Sequence, residues 1–240
     1  MTSTKTLLAT FFLIALSCKK ENTALQSSGS SDESTIQTLV TDVNDPAANA
    51  VRIGNQVWMT RNLNVTRYRN GDPIPQVKNP AKWASLTTGA WCWYENNSAN
   101  GPKYGRLYNW YAVNDSRGLA PKGFHVPSSL EWESLVTNLG GKNSAAGKLT
   151  DIAGKKLKSN NGWLEGGDGT NESGFFAIPG GARNDFGDFD DIGYSAIWWT
   201  STQQEVTIGL NSIVWYGDNY VNTDNTNGPG AGLSVRCIKD

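Results

Sequence analysis

The residues best suited to chemistry in this chain are its single histidine and its three cysteines. His125 lies just ahead of a helix start, and no nucleophile or orienting acid accompanies it at a spacing that would mark it as a general base. A zinc site needs three or four ligands at short spacing, which His125 and the widely separated Cys92 and Cys237 do not provide. We therefore expect His125 to be a packed, hydrogen-bonded structural residue, with no catalytic residues and no enzymatic activity.

Cys18 follows a segment with the properties of an export signal. Lys5 supplies a positive start, and the apolar run Leu7–Leu16 is too short to span a bilayer, which takes about 20 residues. The run ends in Ala15-Leu16-Ser17-Cys18, which resembles the lipobox of bacterial lipoproteins of the Bacteroidetes type. The resemblance implies cleavage by signal peptidase II before Cys18 and acylation of that residue. An ordinary signal peptide with a cysteine near its cleavage site is the alternative.

This interpretation divides the chain into three parts. We expect a signal peptide at 1–17, a lipidated flexible tether at 18–35, and one domain at 36–240. The membrane would then be a partner through the lipid anchor. We expect the protein in the cell envelope, lipid-anchored at the outer membrane, and facing either the periplasm or the medium.

Cys92 and Cys237 remain as an even pair once Cys18 is assigned to lipid. Exported proteins fold in an oxidising compartment, so we expect a disulfide between them. Such a bridge would close a loop of about 145 residues and contribute up to about 5 kcal/mol in the chain-entropy model. Two buried free thiols are the alternative.

One loop concentrates carboxylates that a hard cation could use. It contains the four acidic residues Asp185, Asp188, Asp190 and Asp191. Calcium prefers six to eight oxygen ligands from flexible loops, so a calcium site is possible here, and it is the only cofactor that the sequence suggests. Asp also belongs in tight turns because it bonds its own backbone, so ordinary turn chemistry is the competing interpretation.

A second late segment combines aromatic and polar side chains in the manner of a ligand site. Its members are Trp215, Tyr216, Asp218, Asn219 and Tyr220. Aromatic rings can stack on the C–H faces of a sugar while amides and carboxylates bond its hydroxyl groups. We therefore expect a glycan or surface-protein ligand at this turn. A hairpin with cross-strand aromatic packing is the alternative.

The overall charge excludes one class of partner. The chain has 21 basic and 22 acidic residues, a formal net charge of −1, and no polybasic block. A nucleic-acid-binding domain needs a clustered basic footprint, so we expect no nucleic-acid partner. The 26 glycines and 10 tryptophans instead indicate a loop-rich domain with aromatic anchors.

The positional patterns predict a mixed fold. A Gly54-Asn55 pair between β-rich runs predicts a hairpin over 51–59. Helical spacing of apolar residues predicts helices over 104–114 and 128–139, the second with a capping box formed by Ser128 and Glu131. Strands are predicted at Ala196–Ser201, Ser212–Tyr216 and Leu233–Lys239, the last with Leu233, Val235 and Cys237 on its inward face.

Eight ordered motifs carry a resemblance to a known family. They occupy residues 51–58, 89–94, 105–113, 123–128, 171–175, 179–181, 198–202 and 234–237. Together they resemble the Fibrobacter succinogenes major paralogous domain of bacterial surface lipoproteins. The resemblance implies an α+β, C-type-lectin-like single domain with two helices and a loop-rich antiparallel sheet, in which the last strand returns beside the first.

The resemblance implies a fold and a location rather than a chemistry. We expect a non-enzymatic binding or adhesion module of the cell envelope, with a glycan or protein ligand. A purely structural envelope component and an enzyme of unrecognised type are the alternatives.

Overall fold

The computed structural model describes residues 49–141, 152–205 and 208–240. The signal, the tether and Cys18 lie outside the described residues, as does the start of the expected domain. The strands are β1 (Ala50–Ile53), β2 (Gln56–Met59), β3 (Trp91–Cys92), β4 (Leu107–Tyr108), β5 (Phe124–His125), β6 (Gly180–Arg183), β7 (Phe189–Ile192), β8 (Ser195–Glu205), β9 (Ile208–Trp215), β10 (Asn222–Asn227) and β11 (Ile238–Lys239). The α-helices are α1 (Pro80–Ala84), α2 (Gly101–Tyr104), α3 (Trp110–Val113), α4 (Ser129–Asn138) and α5 (Ala153–Leu157), and short 3-10 turns cover Tyr94–Asn96 and Ser98–Asn100.

The first hairpin and the last strand share one antiparallel sheet in the order β1-β2-β11-β5. The hairpin predicted around Gly54 is confirmed, and this glycine adopts the positive φ of 58° that its turn requires. Ile238 of β11 lies opposite Trp58 on one side and His125 on the other. The last strand therefore returns beside the first hairpin.

A second sheet, β10-β9-β8, divides the hydrophobic interior. Successive side chains of a strand point to opposite faces, and the first six residues of β8, 195–200, are buried on both. Ile197 and Trp199 belong to a hydrophobic cluster that we call the first cluster, whereas Ala196 and Trp198 belong to another, the second cluster. The strands predicted at Ala196–Ser201 and Ser212–Tyr216 are confirmed as parts of β8 and β9. Both observed strands are longer than predicted, and β9 ends at Trp215.

The later of the two predicted helices is confirmed. In α4, Ser128 accepts from the Glu131 backbone N–H while the Glu131 side chain accepts from the Ser128 backbone, which completes the capping box. The helix buries Trp132, Leu135 and Val136 in the second cluster. Here the local signals at both ends and the apolar spacing agree, so the element forms where they place it.

The other predicted helix, over 104–114, is wrong. The chain breaks at Gly105, whose φ of 77° does not occur in a right-handed helix. A Cβ at this position would lie 2.8 Å from the carbonyl oxygen of Leu63, so the close approach requires glycine. Leu107 and Tyr108 then pair with β3, and only the short helix α3 follows.

The alternation predicted for Leu233–Lys239 is also wrong. Only β11 at its end is a strand, and every residue over 231–238 is buried. Ser234 and Arg236, which alternation placed outside, are 2% and 0% exposed. Inside the protein, Ser234 accepts a hydrogen bond from Asn62, and Arg236 donates to Asn62 and to backbone carbonyl oxygens.

The fold is a mixed α+β arrangement, mostly of strands, with several antiparallel sheets and a few short helices. In the described part of the chain no helix has the length and apolar character needed to cross a bilayer.

Candidate functional site

The buried amide of Asn62 connects several segments of the interior beside a cleft. The Nδ2 of Asn62 donates to the carbonyl oxygen of Tyr104 at 2.9 Å and to Ser234 Oγ at 3.2 Å. Its Oδ1 accepts from Trp198 Nε1 at 2.9 Å and from the guanidinium of Arg236. The Asn62 side chain thus joins three other segments of the chain, at Tyr104, at Trp198 and at 234–236, and we call this network the Asn62 hub.

Arg236 is fully buried, and in the described residues it has no carboxylate partner. Its other donors bond the carbonyl oxygens of Met59 at 3.0 Å and Phe175 at 2.7 Å, and its guanidinium lies 4.4 Å from the Phe175 ring centroid. Burial lowers the pKa of Arg236 to about 9, so the group is still cationic at neutral pH. Carbonyl dipoles and aromatic rings replace a counter-ion here.

A cleft of about 690 Å³ opens beside this hub. Two segments supply most of its walls, and the lining residues are Asn49, Met59, Arg61, Asn62, Leu63, Asn64, Val65, Thr66, Arg67, Gly101, Pro102, Lys103, Gly105, Arg106 and Pro121. Gly101 packs closely against Trp93. A Cβ at position 101 would lie 2.6 Å from the indole Nε1, so this contact requires glycine. The hydrogen bonds of Asn62 and the close contacts of Gly101 and Gly105 therefore hold the wall at 61–67 in place against the wall at 101–106.

Arg106 is the most firmly held cation of the cleft. Its guanidinium carbon lies 4.3 Å from the Trp91 ring centroid and 5.5 Å from that of Trp93. It donates to the backbone and side-chain oxygens of Asn64, and its Nε is buried without a hydrogen bond. Burial lowers the pKa of Arg106 below the ordinary arginine value, while the nearby Tyr108 opposes this effect.

The other three cations of the cleft are exposed. Lys103 lies 4.6 Å from the centroid of the Tyr104 ring, and Arg67 donates to the carbonyl oxygen of Gly71 at 2.8 Å. Across residues 49–141, 152–205 and 208–240, neither these two side chains nor Arg61 and Arg106 form an ion pair. Within the described residues, the cleft thus presents four cations that no carboxylate pairs with.

None of these four residues is among those predicted from the sequence, although the sequence contains a signal for them. The segments 61–67 and 101–106 carry two basic residues each and no acidic residue, in a chain that is nearly neutral overall. Each segment alone resembles an ordinary solvated loop. Only the fold brings them together.

The predicted ligand turn lies away from this cleft. Trp215 is half-buried against the first hydrophobic cluster, and Tyr216 and Tyr220 pack against the second. The buried ammonium group of Lys158 donates to the carbonyl oxygens of Tyr216 and Asp218, each at 2.8 Å, and fixes the turn from inside. Asn219 is exposed at its tip. These residues line neither of the two cavities described here, and their ligand role stays a prediction.

The possible calcium site does not assemble. In the parts of the chain that the structure describes, no three His, Cys, Asp or Glu side chains group as a metal ion would require. Burial raises the pKa of Asp185, and hydrogen bonds from the backbone N–H groups of Gly230 and Ala231 oppose this effect. Asp190 accepts from the Asn184 side chain.

The other two aspartates of that loop have turn roles as well. Asp188 donates its backbone N–H to Asn184 Oδ1 at 3.0 Å. Asp191 lies in β7 with a positive φ of 67°, and its carbonyl oxygen accepts from the Tyr194 backbone N–H at 3.0 Å in the turn that follows the strand. The loop therefore uses its acidic residues in turns and loop contacts, as the competing interpretation held.

The structure does not show the predicted disulfide: Cys92 and Cys237 are both free and buried, as in the alternative interpretation. Cys92 packs in a small cluster with Trp83 and Leu107, whereas Cys237 packs in the first large cluster. The inward position predicted for Cys237 is confirmed, but the two cysteines lie in different hydrophobic clusters. Burial raises the pKa of each thiol to about 12, so both stay protonated.

His125 is held between two carboxylates. Its Nδ1 lies 2.8 Å from Asp240 Oδ1, and its Nε2 lies 2.8 Å from Oε1 of Glu131, the capping residue of α4. Partial burial opposes protonation, but the hydrogen bonds to Glu131 and Asp240 outweigh it and raise the pKa of His125. These contacts tie the start of α4 to the end of the chain, as expected for a structural histidine.

A smaller cavity of about 360 Å³ lies near Trp110, Asp115 and Arg117. Arg117 is bonded to Asp115 at 2.8 Å and to Asp72 at 3.3 Å. The hydrogen bond from Arg117 lowers the pKa of Asp115 to about 2. The charged groups of this cavity are therefore already paired within the protein.

The comparisons with known proteins identify a family and nothing finer. No curated protein and no solved structure matches the chain. The sequence profile of the Fibrobacter succinogenes major domain matches residues 51–239, which is most of the chain and nearly all of the described part. The chain therefore belongs to the Fibrobacter succinogenes major domain family.

Proposed function

We propose that this protein is a cell-envelope lipoprotein whose domain binds a glycan or protein ligand without transforming it. The observation that carries this proposal is the cleft of about 690 Å³ beside Asn62. Its volume falls in the range of about 300–1,000 Å³ that is usual for ligand sites. Its walls are fixed by the buried hub, so the site exists before any ligand arrives.

The lining of the cleft supports binding rather than catalysis. Its described residues include no Asp, Glu, His or Cys, the side chains that most often act as general bases or nucleophiles. His125 is hydrogen-bonded to Glu131 and Asp240, and the thiols of Cys92 and Cys237 are buried and protonated. The cleft therefore offers contacts but no obvious reaction centre.

The proposal includes a lectin-like ancestry for the fold. The return of β11 beside β2 supports it, because that closure of the chain ends is what the family resemblance implies. We further propose an outer-membrane location through acylated Cys18, supported by the apolar run and lipobox-like residues that precede it.

A steric block of the cleft tests the binding function. Thr66 is an exposed lining residue, and Thr226 is exposed on β10 outside the lining. The whole chain and its Thr66→Trp and Thr226→Trp variants should be screened on arrays of glycans and envelope proteins. Binding that is lost in Thr66→Trp and kept in Thr226→Trp supports the site, whereas equal binding by all three overturns it. Matching melting temperatures would show that both variants fold.

The anchor needs a separate test in the producing bacterium. Cys18→Ala should abolish labelling by a palmitate analogue and leave a precursor that signal peptidase II does not cleave. Cys92→Ala is the matched control and should label normally. Continued labelling of Cys18→Ala would show that Cys18 is not the anchor.

A further inference from the structure

We infer that the cleft beside Asn62 binds an acidic peptide segment of a partner protein, one in which carboxylates alternate with apolar side chains. This inference rests on the proposed function, because it names the ligand class of the same site. It is carried by the charge, the apolar surface and the absence of aromatic rings in the lining.

The charge of the cleft is one-sided. Arg61, Arg67, Lys103 and Arg106 line it, and none of its other lining residues among those that the structure describes is acidic. The chain as a whole has a formal net charge of −1, so this is a local concentration of positive charge rather than a general property. Unpaired cations in a concave, partly water-excluded site attract an anion more strongly than the same charges on a convex surface.

Arg106 is prepared for such a contact. Stacking over Trp91 and the bonds to Asn64 hold its guanidinium in place, so little side-chain entropy is lost on binding. Nη1 donates to Asn64 and Nε is buried, which leaves Nη2 to donate a charge-assisted hydrogen bond to a carboxylate oxygen. The exposed Arg61, Arg67 and Lys103 can adapt to further carboxylates along a chain.

The apolar part of the lining favours a peptide over a polysaccharide. Val65, Pro102 and Pro121 retain exposed surface, and Met59 and Leu63 lie beneath them. Apolar side chains of a peptide can pack on this surface while neighbouring carboxylates meet the cations. Sugars and nucleic-acid bases are commonly held by stacking on aromatic rings, and the described lining residues include no Phe, Tyr or Trp.

The test measures binding of defined probes to the whole chain in detergent. The probes are a short fluorescent peptide in which glutamate alternates with leucine, the same peptide with glutamine for glutamate, polygalacturonate, and neutral dextran. The double variant Arg61→Glu, Lys103→Glu replaces two positive charges of the cleft with negative charges. The matched control Lys82→Glu, Lys155→Glu changes two exposed lysines outside the lining.

We expect the glutamate peptide to bind the unmodified chain and the control alike, and the glutamine peptide to bind at least about tenfold more weakly. The cleft variant should lose about tenfold or more in affinity, and raising the salt concentration should weaken binding because exposed charges are screened. Tighter binding of polygalacturonate than of the glutamate peptide overturns the inference in favour of an acidic glycan. Absence of peptide binding, or equal binding by both double variants, also overturns it.

These outcomes separate this inference from the proposed function. If another array ligand is blocked by Thr66→Trp while the glutamate peptide does not bind, the cleft is a binding site for a different ligand class. If Thr66→Trp blocks nothing, the proposed function itself fails.

Discussion

Arg236 donates two hydrogen bonds, of 3.1 and 2.8 Å, to the side-chain oxygen of Asn62, which lies 174 positions earlier in the chain. The same oxygen accepts from the indole of Trp198, and the amide also lines the cleft. One side chain therefore joins the interior of the protein to its candidate ligand site. Stability and binding should depend on it together.

Replacement of Asn62 tests this coupling. Asn62→Ala removes the acceptor of a buried guanidinium and leaves the carbonyl bonds of Arg236 in place, so we expect a loss of about 3 kcal/mol or more in the free energy of unfolding. Urea unfolding of the whole chain measures it. The exposed Asn160→Ala is the matched control and should change stability by less than about 0.5 kcal/mol. A loss in Asn62→Ala no larger than in the control contradicts the central role of the hub.

The aromatic turn gives a second prediction that separates packing from ligand contact. Trp215 is half-buried against the first cluster, so Trp215→Ala should lower the free energy of unfolding by about 2 kcal/mol. Asp218 engages Lys158 through its backbone carbonyl, so Asp218→Ala should retain that bond and change stability little. Thermal unfolding of both variants checks this. A Trp215→Ala variant with unchanged stability but lost ligand binding would place the binding site at the turn instead.

Parts of the fold follow from local sequence signals. The Gly54 hairpin and α4 formed where predicted because turn chemistry and capping agree there with the apolar pattern. The helix predicted over 104–114 failed because aromatic spacing mimicked a helical stripe, while the close backbone contact at Gly105 depends on tertiary structure. Periodicity alone could not reveal that contact.

The candidate site was beyond local reasoning for a related reason. Arg61 and Lys103 line the same cleft because the tertiary contacts of Asn62, Gly101 and Gly105 bring their two segments together. The strand pattern near the end of the chain likewise placed Arg236 outside, because alternation assumes that charged side chains face water. A buried arginine satisfied by carbonyl oxygens breaks that assumption.

His125 gives the pH dependence of stability. Its folded-state pKa is raised above the ordinary value of about 6.5. The protonated histidine therefore stabilises the fold in full below that ordinary value, and this contribution is lost as the pH rises through the raised pKa. Its side chain is 40% exposed, so solvent screening should keep the contribution below about 1 kcal/mol.

The measurement is the melting temperature from pH 5 to pH 9 for the unmodified chain and for His125→Gln. The difference between the two should shrink as the pH rises. A difference that is constant across this range, or that grows toward high pH, contradicts the assigned contacts with Glu131 and Asp240.

The state of the cysteines can be measured directly. Cys92 and Cys237 should not react with a thiol reagent in the native protein, because burial raises each pKa to about 12. After denaturation without reductant, both should react. Cys92→Ala and Cys237→Ala should each remove one reactive thiol. If no thiol from this pair is found in the denatured, non-reduced chain, the two cysteines form a bridge after all.

The most direct test of the binding site is photocrosslinking in the producing bacterium. A photoreactive amino acid replaces Thr66 inside the cleft or, as the control, Thr226 on β10. The proposed function predicts a discrete crosslinked adduct from position 66 that is absent from position 226. Adducts of equal yield at both positions, or none at position 66, would contradict a ligand in this cleft.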